Sequence, residues 1–144
     1  MKKFTLFVFT LLLSQGVFAD AAGEIKYRQG VMEVAGGHMN SLVAILRGRV
    51  HINDVKFHAK GIANLATLVP EVFPKGSGDG KTDALPSVWE KPEAFKTAMD
   101  RFTDAAANIA GAPESGDMSK IGPAMTALGD SCKGCHEDFR AEHD

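Results

Sequence analysis

The sequence predicts an all-α protein whose helices form an antiparallel four-helix bundle. Apolar residues recur at helical spacing in four segments, and no segment alternates apolar and polar residues over a useful length. The breaks between the segments are rich in Gly, Pro, Ser and Asp, which are typical of loops. Four amphipathic helices that share one core are expected to pack as a bundle.

Residues 1–19 have the pattern of a secretory signal peptide. Lys2 and Lys3 form a basic start, residues 4–13 are an apolar run, and Ala19 lies at the expected cleavage site. A retained membrane anchor is the alternative, but the apolar run is short and no stop-transfer pattern follows it. The sequence therefore predicts export to the periplasm of one domain, residues 20–144, that does not enter the membrane.

The charge of the predicted exported domain argues against a nucleic-acid partner. Once Lys2 and Lys3 are removed from the 16 basic residues, 14 remain against 18 acidic ones. These charges are interspersed and form no basic tract. The sequence also shows no general acid–base pair and no nucleophile constellation, so we do not expect an enzyme.

The first two predicted helices follow each other closely. The first covers about residues 22–49, and the second follows a break at residues 50–54 and ends at Pro70. Gly36 and Gly37 each lower the helix propensity of the first by about 1 kcal/mol, a cost usually tolerated where something bulky approaches the backbone. The expected buried residues are Ile25, Met32, Ala35, Met39, Leu42, Val43 and Leu46, then Ile52, Val55, Ala59, Ile62, Ala66 and Val69.

A loop without apolar periodicity, residues 73–87, precedes the last two predicted helices. The third helix runs from about Pro92 to Ala110. Asp117 is expected to cap the fourth, in which Pro123 predicts a kink or a late start because it has no backbone N–H. The expected buried residues are Phe95, Met99, Phe102, Ala106 and Ile109, then Ile121, Met125, Leu128, Cys135 and Phe139.

The only two cysteines lie in the motif Cys132-Lys133-Gly134-Cys135-His136 near the end of the chain. The spacing C-x-x-C-H is the signature of c-type haem attachment. On a helix, Cys132 and His136 share a face and Cys135 lies about one turn from Cys132. Each thiol can then reach one vinyl group of a porphyrin while the imidazole ligates the iron, so the motif predicts one covalent haem c.

Other uses of the two cysteines fit the sequence less well. A redox-active C-x-x-C belongs at the start of a helix between strands. A zinc site needs four ligands, and only His143 is available nearby to complete a set. A disulfide suits an exported protein, but its geometry is poor between residues three apart in a helix. A haem-free helical interaction module with an inert cysteine pair is the remaining alternative.

Together these features resemble the cytochrome c′ family, the class II c-type cytochromes. The resemblance covers essentially all of residues 20–144, through IKYRQGVM in the first helix, VFPKGSGDGKTDALPSVWE in the crossover and GDSCKGCHEDFR at the end. It implies a haem near the C-terminus of a four-helix bundle, bound through Cys132 and Cys135, with His136 as the proximal iron ligand. It also implies a homodimer formed through the first two helices.

The resemblance places three further residues in the haem pocket. Arg28 matches a first-helix arginine near a haem propionate, and its alternative role is that of a surface arginine. Arg140 matches a proximal arginine that can bind a small ligand or a propionate, and its alternative role is a solvated cation at the helix C-terminus. Met32 matches the residue that faces the iron on the distal side, with core filling as its alternative.

Met32 leaves two functions open. The resemblance favours five-coordinate iron that binds nitric oxide or carbon monoxide behind an apolar Met32, with a capacity for electron transfer. A thioether bond from Met32 would instead close the sixth position and give a low-spin electron carrier. The expected partners are therefore these gases and redox proteins. The other histidines are expected to be solvated and without a ligand role: His38, His51, His58 and His143.

Overall fold

The chain folds as a helical bundle, in a computed structural model that describes residues 16–142. Four long helices and one short helix run along it: α1 (Gly16–Gly48), α2 (Val55–Ala66), α3 (Ser87–Glu90), α4 (Pro92–Gly111) and α5 (Ile121–Phe139). Helix α2 packs against α1 and α4, and α4 packs against α5. The predicted all-α four-helix bundle is confirmed. The predicted signal peptide falls mainly on residues 1–15, which lie outside the described residues.

The first two helices occur in the predicted order, but they begin and end at residues other than those predicted. Helix α1 begins six residues earlier than predicted, and α2 is shortened by a 3₁₀ turn on each side. His51 adopts the left-handed conformation, with φ of 48°, just before the turn that leads into α2. Ile52 therefore precedes the regular helix and is 40% exposed. Its predicted burial is wrong, whereas Val55, Ala59, Ile62, Ala66 and Val69 are buried as expected.

The last two long helices agree closely with the sequence pattern. Helix α4 ends one residue after the predicted position, and its five expected core residues are buried. The Asp117 carboxylate accepts a hydrogen bond from the Ser119 backbone N–H at 3.0 Å, but this cap belongs to a 3₁₀ turn ahead of α5. Because α5 begins at Ile121, Pro123 lies in its first turn. The late start predicted from Pro123 is confirmed.

The crossover between α2 and α4 is more ordered than the predicted loop. It contains the short helix α3, which the sequence pattern did not indicate. The segment of the crossover just before α3 is hydrogen-bonded to the end of α5. The Leu85 N–H donates to the Phe139 carbonyl at 3.0 Å, and the Ala141 N–H donates to Asp83 O at 2.8 Å. These bonds flank an isolated antiparallel bridge between Ala84 and Arg140. The C-terminal end of α5 is thereby fixed against the crossover.

The apolar stripe of α1 is only partly covered by protein. Leu42 and Ile25 are buried, but Met32 and Met39 are half-buried. Cys135 on α5, which was expected to be buried, is also half-buried and packs against the core. These three partly covered side chains line a cavity between α1 and α5. Within the described part of the chain, no helix has an apolar stretch of the length that a bilayer requires.

Candidate functional site

A cavity of about 400 Å³ lies between the middle of α1 and the C-terminal half of α5. Its volume is in the range of small-molecule and cofactor pockets, and apolar atoms form most of its wall. The structure brings all six predicted site residues to this wall: Arg28, Met32, Cys132, Cys135, His136 and Arg140. The chemical role of each residue remains a prediction from the sequence, but their convergence on one cavity is a property of the fold.

The two thiols lie in the last two turns of α5 and are free and half-buried. Burial raises the pKa of the Cys132 thiol. Burial also raises the pKa of the Cys135 thiol to about 11, and the neighbouring Cys132 and Asp138 contribute to this rise. Both thiols are therefore protonated near neutral pH. Redox-active C-x-x-C pairs instead have a lowered thiol pKa at a helix N-terminus, so the redox alternative fits this site poorly.

His136 lies one position after the second thiol, on the side of α5 that borders the cavity. Burial against the cavity wall lowers the pKa of His136, and the positive charge of Arg140 lowers it further. The neutral imidazole, which has a free lone pair for a metal, is thus favoured. Arg140 lies one turn further on, and its Nη1 is 3.4 Å from the His136 Nδ1. Arg140 is exposed, yet it borders the cavity beside the imidazole.

Arg28 is buried, which excludes its alternative role as a surface arginine. Its Nη1 donates to Val72 O at 3.1 Å and to Ser77 Oγ at 2.9 Å. Its Nη2 donates to Ser77 O and to Thr82 Oγ1, both at 2.9 Å. The guanidinium also lies over the Phe73 ring, 4.8 Å from its centroid. Burial lowers the pKa of Arg28, although the Glu24 carboxylate opposes this effect.

These four bonds limit what Arg28 can offer to a haem propionate. They use both N–H groups of each terminal nitrogen, and Nε–H is the one donor that they leave. The main role of Arg28 in this structure is therefore to attach α1 to the crossover. The sequence could not reveal this, since the acceptors lie 44 to 54 residues away along the chain.

The part of the cavity wall formed by α1 contains two flexible methionine thioethers and a glycine. Met32 and Met39 contribute the thioethers, and Gly36 lies between them. A Cβ built on Gly36 would meet no atom within 4 Å and would point into open space. The sequence suggested that the glycine pair accommodates a bulky group, and Gly36 is the member of that pair that borders the cavity.

Three phenylalanines form an aromatic wall that the sequence did not assign to the site. The Phe73 and Phe95 rings meet edge to face at 4.9 Å, and Phe95 and Phe139 do so at 5.2 Å. All three line the cavity and come from the crossover, α4 and α5. Helical periodicity identified Phe95 and Phe139 as buried, but it cannot distinguish a wall of the core from a wall of a cavity.

The residues present fit a covalently attached haem. Two protonated thiols and one imidazole are placed on α5, the aromatic and aliphatic wall suits a porphyrin, and Gly36 leaves space on the facing helix. Within residues 16–142, no three His, Cys, Asp or Glu side chains gather in a way that could hold a metal ion. The zinc alternative depended on His143, which lies outside the described residues.

Comparison with known sequences gives one consistent result. The family described as Cytochrome C′ matches residues 23–140. Cytochrome c′ of Pararhodospirillum photometricum is 40% identical over 124 residues, which cover 85% of this chain and 99% of the relative. Cytochrome c-556 of Agrobacterium tumefaciens strain B2A is 38% identical over 122 residues, covering 83% and 98%.

Solved structures agree with the sequence comparison. Cytochrome c prime from Shewanella frigidimarina has a TM-score of 0.81 and 31% identity, covering 87% of this chain and 99% of its own. A nitric oxide complex of a mutant cytochrome c prime from Alcaligenes xylosoxidans has a TM-score of 0.78 and 26% identity, covering 85% and 97%. Because the bundle, the cysteine–histidine motif and nearly the full length of these relatives coincide, the chain belongs to the cytochrome c′ family, whose members carry one covalently bound haem c.

Proposed function

We propose that the chain is an exported, periplasmic monohaem cytochrome whose iron is five-coordinate and binds nitric oxide or carbon monoxide. In this proposal Cys132 and Cys135 hold the haem through thioethers, and His136 is the iron ligand. The observation that carries the proposal is that both thiols, His136 and the Met32 side chain of the facing helix border one apolar cavity. When bound, the haem supplies an iron atom that can take a diatomic ligand or exchange an electron.

The chain's own contribution starts with the protonation of His136. An imidazole that gives its Nε2 lone pair to a metal carries its proton on Nδ1, and an N–H group cannot accept from a guanidinium. The contact of 3.4 Å between Arg140 Nη1 and His136 Nδ1 belongs to the other tautomer. If His136 held the iron through Nε2, its Nδ1–H could not accept from Arg140, and the exposed guanidinium would be available to a ligand or a propionate at the cavity.

The apolar wall supports the proposal that the cavity binds small neutral gases. Met32 and Met39 offer no strong hydrogen-bond partner, and the aromatic wall offers none either. Among these side chains a charged or strongly polar ligand would lose its hydration without compensation, whereas the exposed Arg140 lies at the edge of the cavity. Nitric oxide and carbon monoxide have little hydration to lose, and solved relatives include nitric oxide complexes.

A six-coordinate electron carrier is the second candidate, and one observation favours it. Met32 is a half-buried, flexible thioether in the cavity wall, and thioether sulfur is an established ligand of haem iron. In either case we expect electron transfer and no enzymatic turnover.

Absorption spectra of the holoprotein separate the two candidates. We expect a high-spin reduced spectrum that carbon monoxide changes, both in the wild type and in Met32→Leu. Met39→Leu is the matched control because Met39 lies about two helical turns further along the same face of α1 and also lines the cavity. A low-spin spectrum that ignores carbon monoxide, and that only Met32→Leu converts to high spin, would establish the six-coordinate carrier instead.

Mass spectrometry of the exported polypeptide tests the attachment itself. The wild type should carry one haem that acid acetone does not extract, because two thioether bonds retain it. Cys132→Ser or Cys135→Ser should each retain the haem by a single bond, and the double variant should release it. A wild-type protein without bound haem would contradict the proposal.

The homodimer also remains a proposal, for which we assign a surface. Tyr27 and Val34 on α1 and Phe57 on α2 are large hydrophobic residues that are 53%, 51% and 69% exposed. Tyr27 and Val34 are seven residues apart and share a helix face. Sedimentation should show a dimer that Phe57→Ser weakens, and a wild-type monomer at high concentration would contradict this.

A further inference from the structure

Two histidines outside the haem cavity form a pair between α1 and α2. The Nδ1 atoms of His38 on α1 and His58 on α2 are 3.0 Å apart, and both side chains are half-buried. Their rings meet edge to face with centroids 5.2 Å apart. The sequence placed both residues in solvent, and the structure corrects this. Neither lines the cavity, so the pair is a feature separate from the haem site.

The pair is positioned by the packing around it. The His38 ring lies directly over Gly61 of α2, where an added Cβ would collide with the ring. Glycine at this position therefore allows α1 and α2 to approach with an imidazole between them. The Phe57 ring lies 5.9 Å from the His38 ring and 5.2 Å from the His58 ring. Two neighbours, Gly61 and Phe57, thus restrict the orientation of the two imidazoles before any ligand arrives.

The distance between the two nitrogens matches two adjacent positions around one metal ion. Metal–nitrogen bonds of about 2.0–2.1 Å to atoms 3.0 Å apart enclose an angle of about 95° at the metal. This value is close to the right angle of a square-planar or tetragonal site, and tetrahedral zinc would require a wider separation of about 3.3 Å. Square-planar and tetragonal sites with nitrogen and oxygen ligands are typical of copper(II) and nickel(II), of which copper(II) binds more tightly.

We propose that His38 and His58 bind one divalent transition-metal ion of the copper(II) class through their Nδ1 atoms, with water in the remaining positions. In the free pair, one Nδ1–H donates to the other Nδ1, and the donor ring has its lone pair on Nε2. On binding, that proton moves from Nδ1 to Nε2 through solvent, and both rings turn so that the two Nδ1 lone pairs, which point at each other in the free pair, converge on the metal. The two rings remain neutral, and no oxidation or reduction is involved.

The test uses untagged, oxidised holoprotein, in which the haem occupies the cysteine thiols that would otherwise bind copper. Electron paramagnetic resonance during a titration with Cu²⁺ should show one tetragonal site with coupling to two nitrogen nuclei. His38→Gln and His58→Gln should each weaken this binding at least tenfold, because a single imidazole provides no chelate. His51→Gln is the matched control and should bind as the wild type does, since His51 is an exposed histidine outside the pair, with its Nδ1 3.8 Å from the Asp54 carboxylate.

Gly61→Ala tests the geometry without removing a ligand. The added Cβ displaces the His38 ring, so both imidazoles remain while their 3.0 Å spacing is lost. We expect binding at least tenfold weaker than in the wild type, and the haem spectrum and circular dichroism report whether each variant is folded. A wild type without coupling to two nitrogens, or binding that survives His38→Gln and His58→Gln unchanged, would overturn the proposal.

Discussion

The two sides of the bundle differ in how their helices meet. On one side, α2 packs against α4, and Ala59 on α2 and Ala106 and Ile109 on α4 have no exposed surface. On the other side, α1 and α5 face each other across a cavity whose wall contains half-buried methionines and cysteines. The first side holds the helices together by direct packing. The second leaves a cavity of about 400 Å³ between two helices.

Stability and chemistry therefore depend on different sides of this small bundle. Close packing on the α2–α4 side can hold the fold while α1 and α5 present side chains to a cofactor. On the cavity side, α1 is held by its packing against α2 and by the hydrogen bonds of Arg28 to the crossover. Substitutions on the packed side should therefore change stability, and substitutions on the cavity side should change the haem.

The largest effect on stability is expected from Ile109→Ala. Removing a fully buried isoleucine side chain leaves a hole in a close-packed interface and should cost about 2–5 kcal/mol of unfolding free energy. Denaturant unfolding of the holoprotein measures this, and the absorption spectrum should not change. Met39→Ala on the cavity side is the comparison and should cost less, since Met39 is half-buried. Equal costs for the two variants would show that the sides do not differ as described.

Arg28→Lys should produce the next largest effect. Lysine keeps the charge, but it has three donors on one nitrogen and cannot reproduce the four bonds or the stacking on Phe73. We expect a loss of about 1–3 kcal/mol in the same unfolding experiment. Gln29→Lys is the control, because Gln29 is exposed and makes a single bond to the crossover, at Lys81 O. If the two variants unfold at the same denaturant concentration, Arg28 does not fix α1 to the crossover.

The two adjacent glycines of α1, Gly36 and Gly37, allow the cavity side to be compared with the solvent side at neighbouring positions, with a smaller expected effect on stability. Gly37 is exposed, and Gly37→Ala should stabilise the holoprotein by up to about 1 kcal/mol through helix propensity alone. Gly36→Ala gains the same propensity, but its Cβ enters the haem cavity. We therefore expect Gly36→Ala to be less stable than Gly37→Ala and to shift the Soret band. Two variants of equal stability with identical spectra would show that Gly36 is not reserved for the cofactor.

The same contrast explains which parts of the site the sequence could predict. The α5 side is encoded locally, since Cys132, Cys135 and His136 occupy five consecutive positions and helix geometry fixes their relative placement. All four long helices were likewise predicted from their regular apolar stripes, and α4 was predicted to within one residue of its ends. The short helix α3 and the exposure of Ile52 were missed, since both depend on turns that follow no such period.

The remaining parts of the site are long-range in sequence. The acceptors of Arg28 and the aromatic wall come from segments far apart, and nothing in their spacing indicates that they meet. The His38–His58 pair has the same character, because its residues looked like surface positions on two separate helices. Periodicity shows which face of a helix is covered, but it does not show whether protein or a cofactor covers it.

The smallest effect is expected at an exposed ion-pair cluster on the packed side. The Glu114 carboxylate lies 2.7 Å from Lys56 Nζ and 2.8 Å from Lys60 Nζ, and it links the turn after α4 to α2. Hydrogen bonds from Lys56 and then Lys60 hold the pKa of Glu114 below its ordinary value. The folded chain thus binds this proton less readily than the unfolded chain does. The resulting stability is present above the ordinary pKa of a glutamate and is lost as the pH falls through the lowered value.

Glu114→Gln should therefore be slightly less stable than the wild type at neutral pH, and the two unfolding curves should converge in acid. The difference should also shrink at 1 M salt, where the screening length is about 3 Å, because the pair is exposed. Unfolding measured across pH with and without salt tests both statements. A difference that persists in acid or in salt would mean that Glu114 contributes by packing, and the packed side would then depend on this turn as well as on its apolar core.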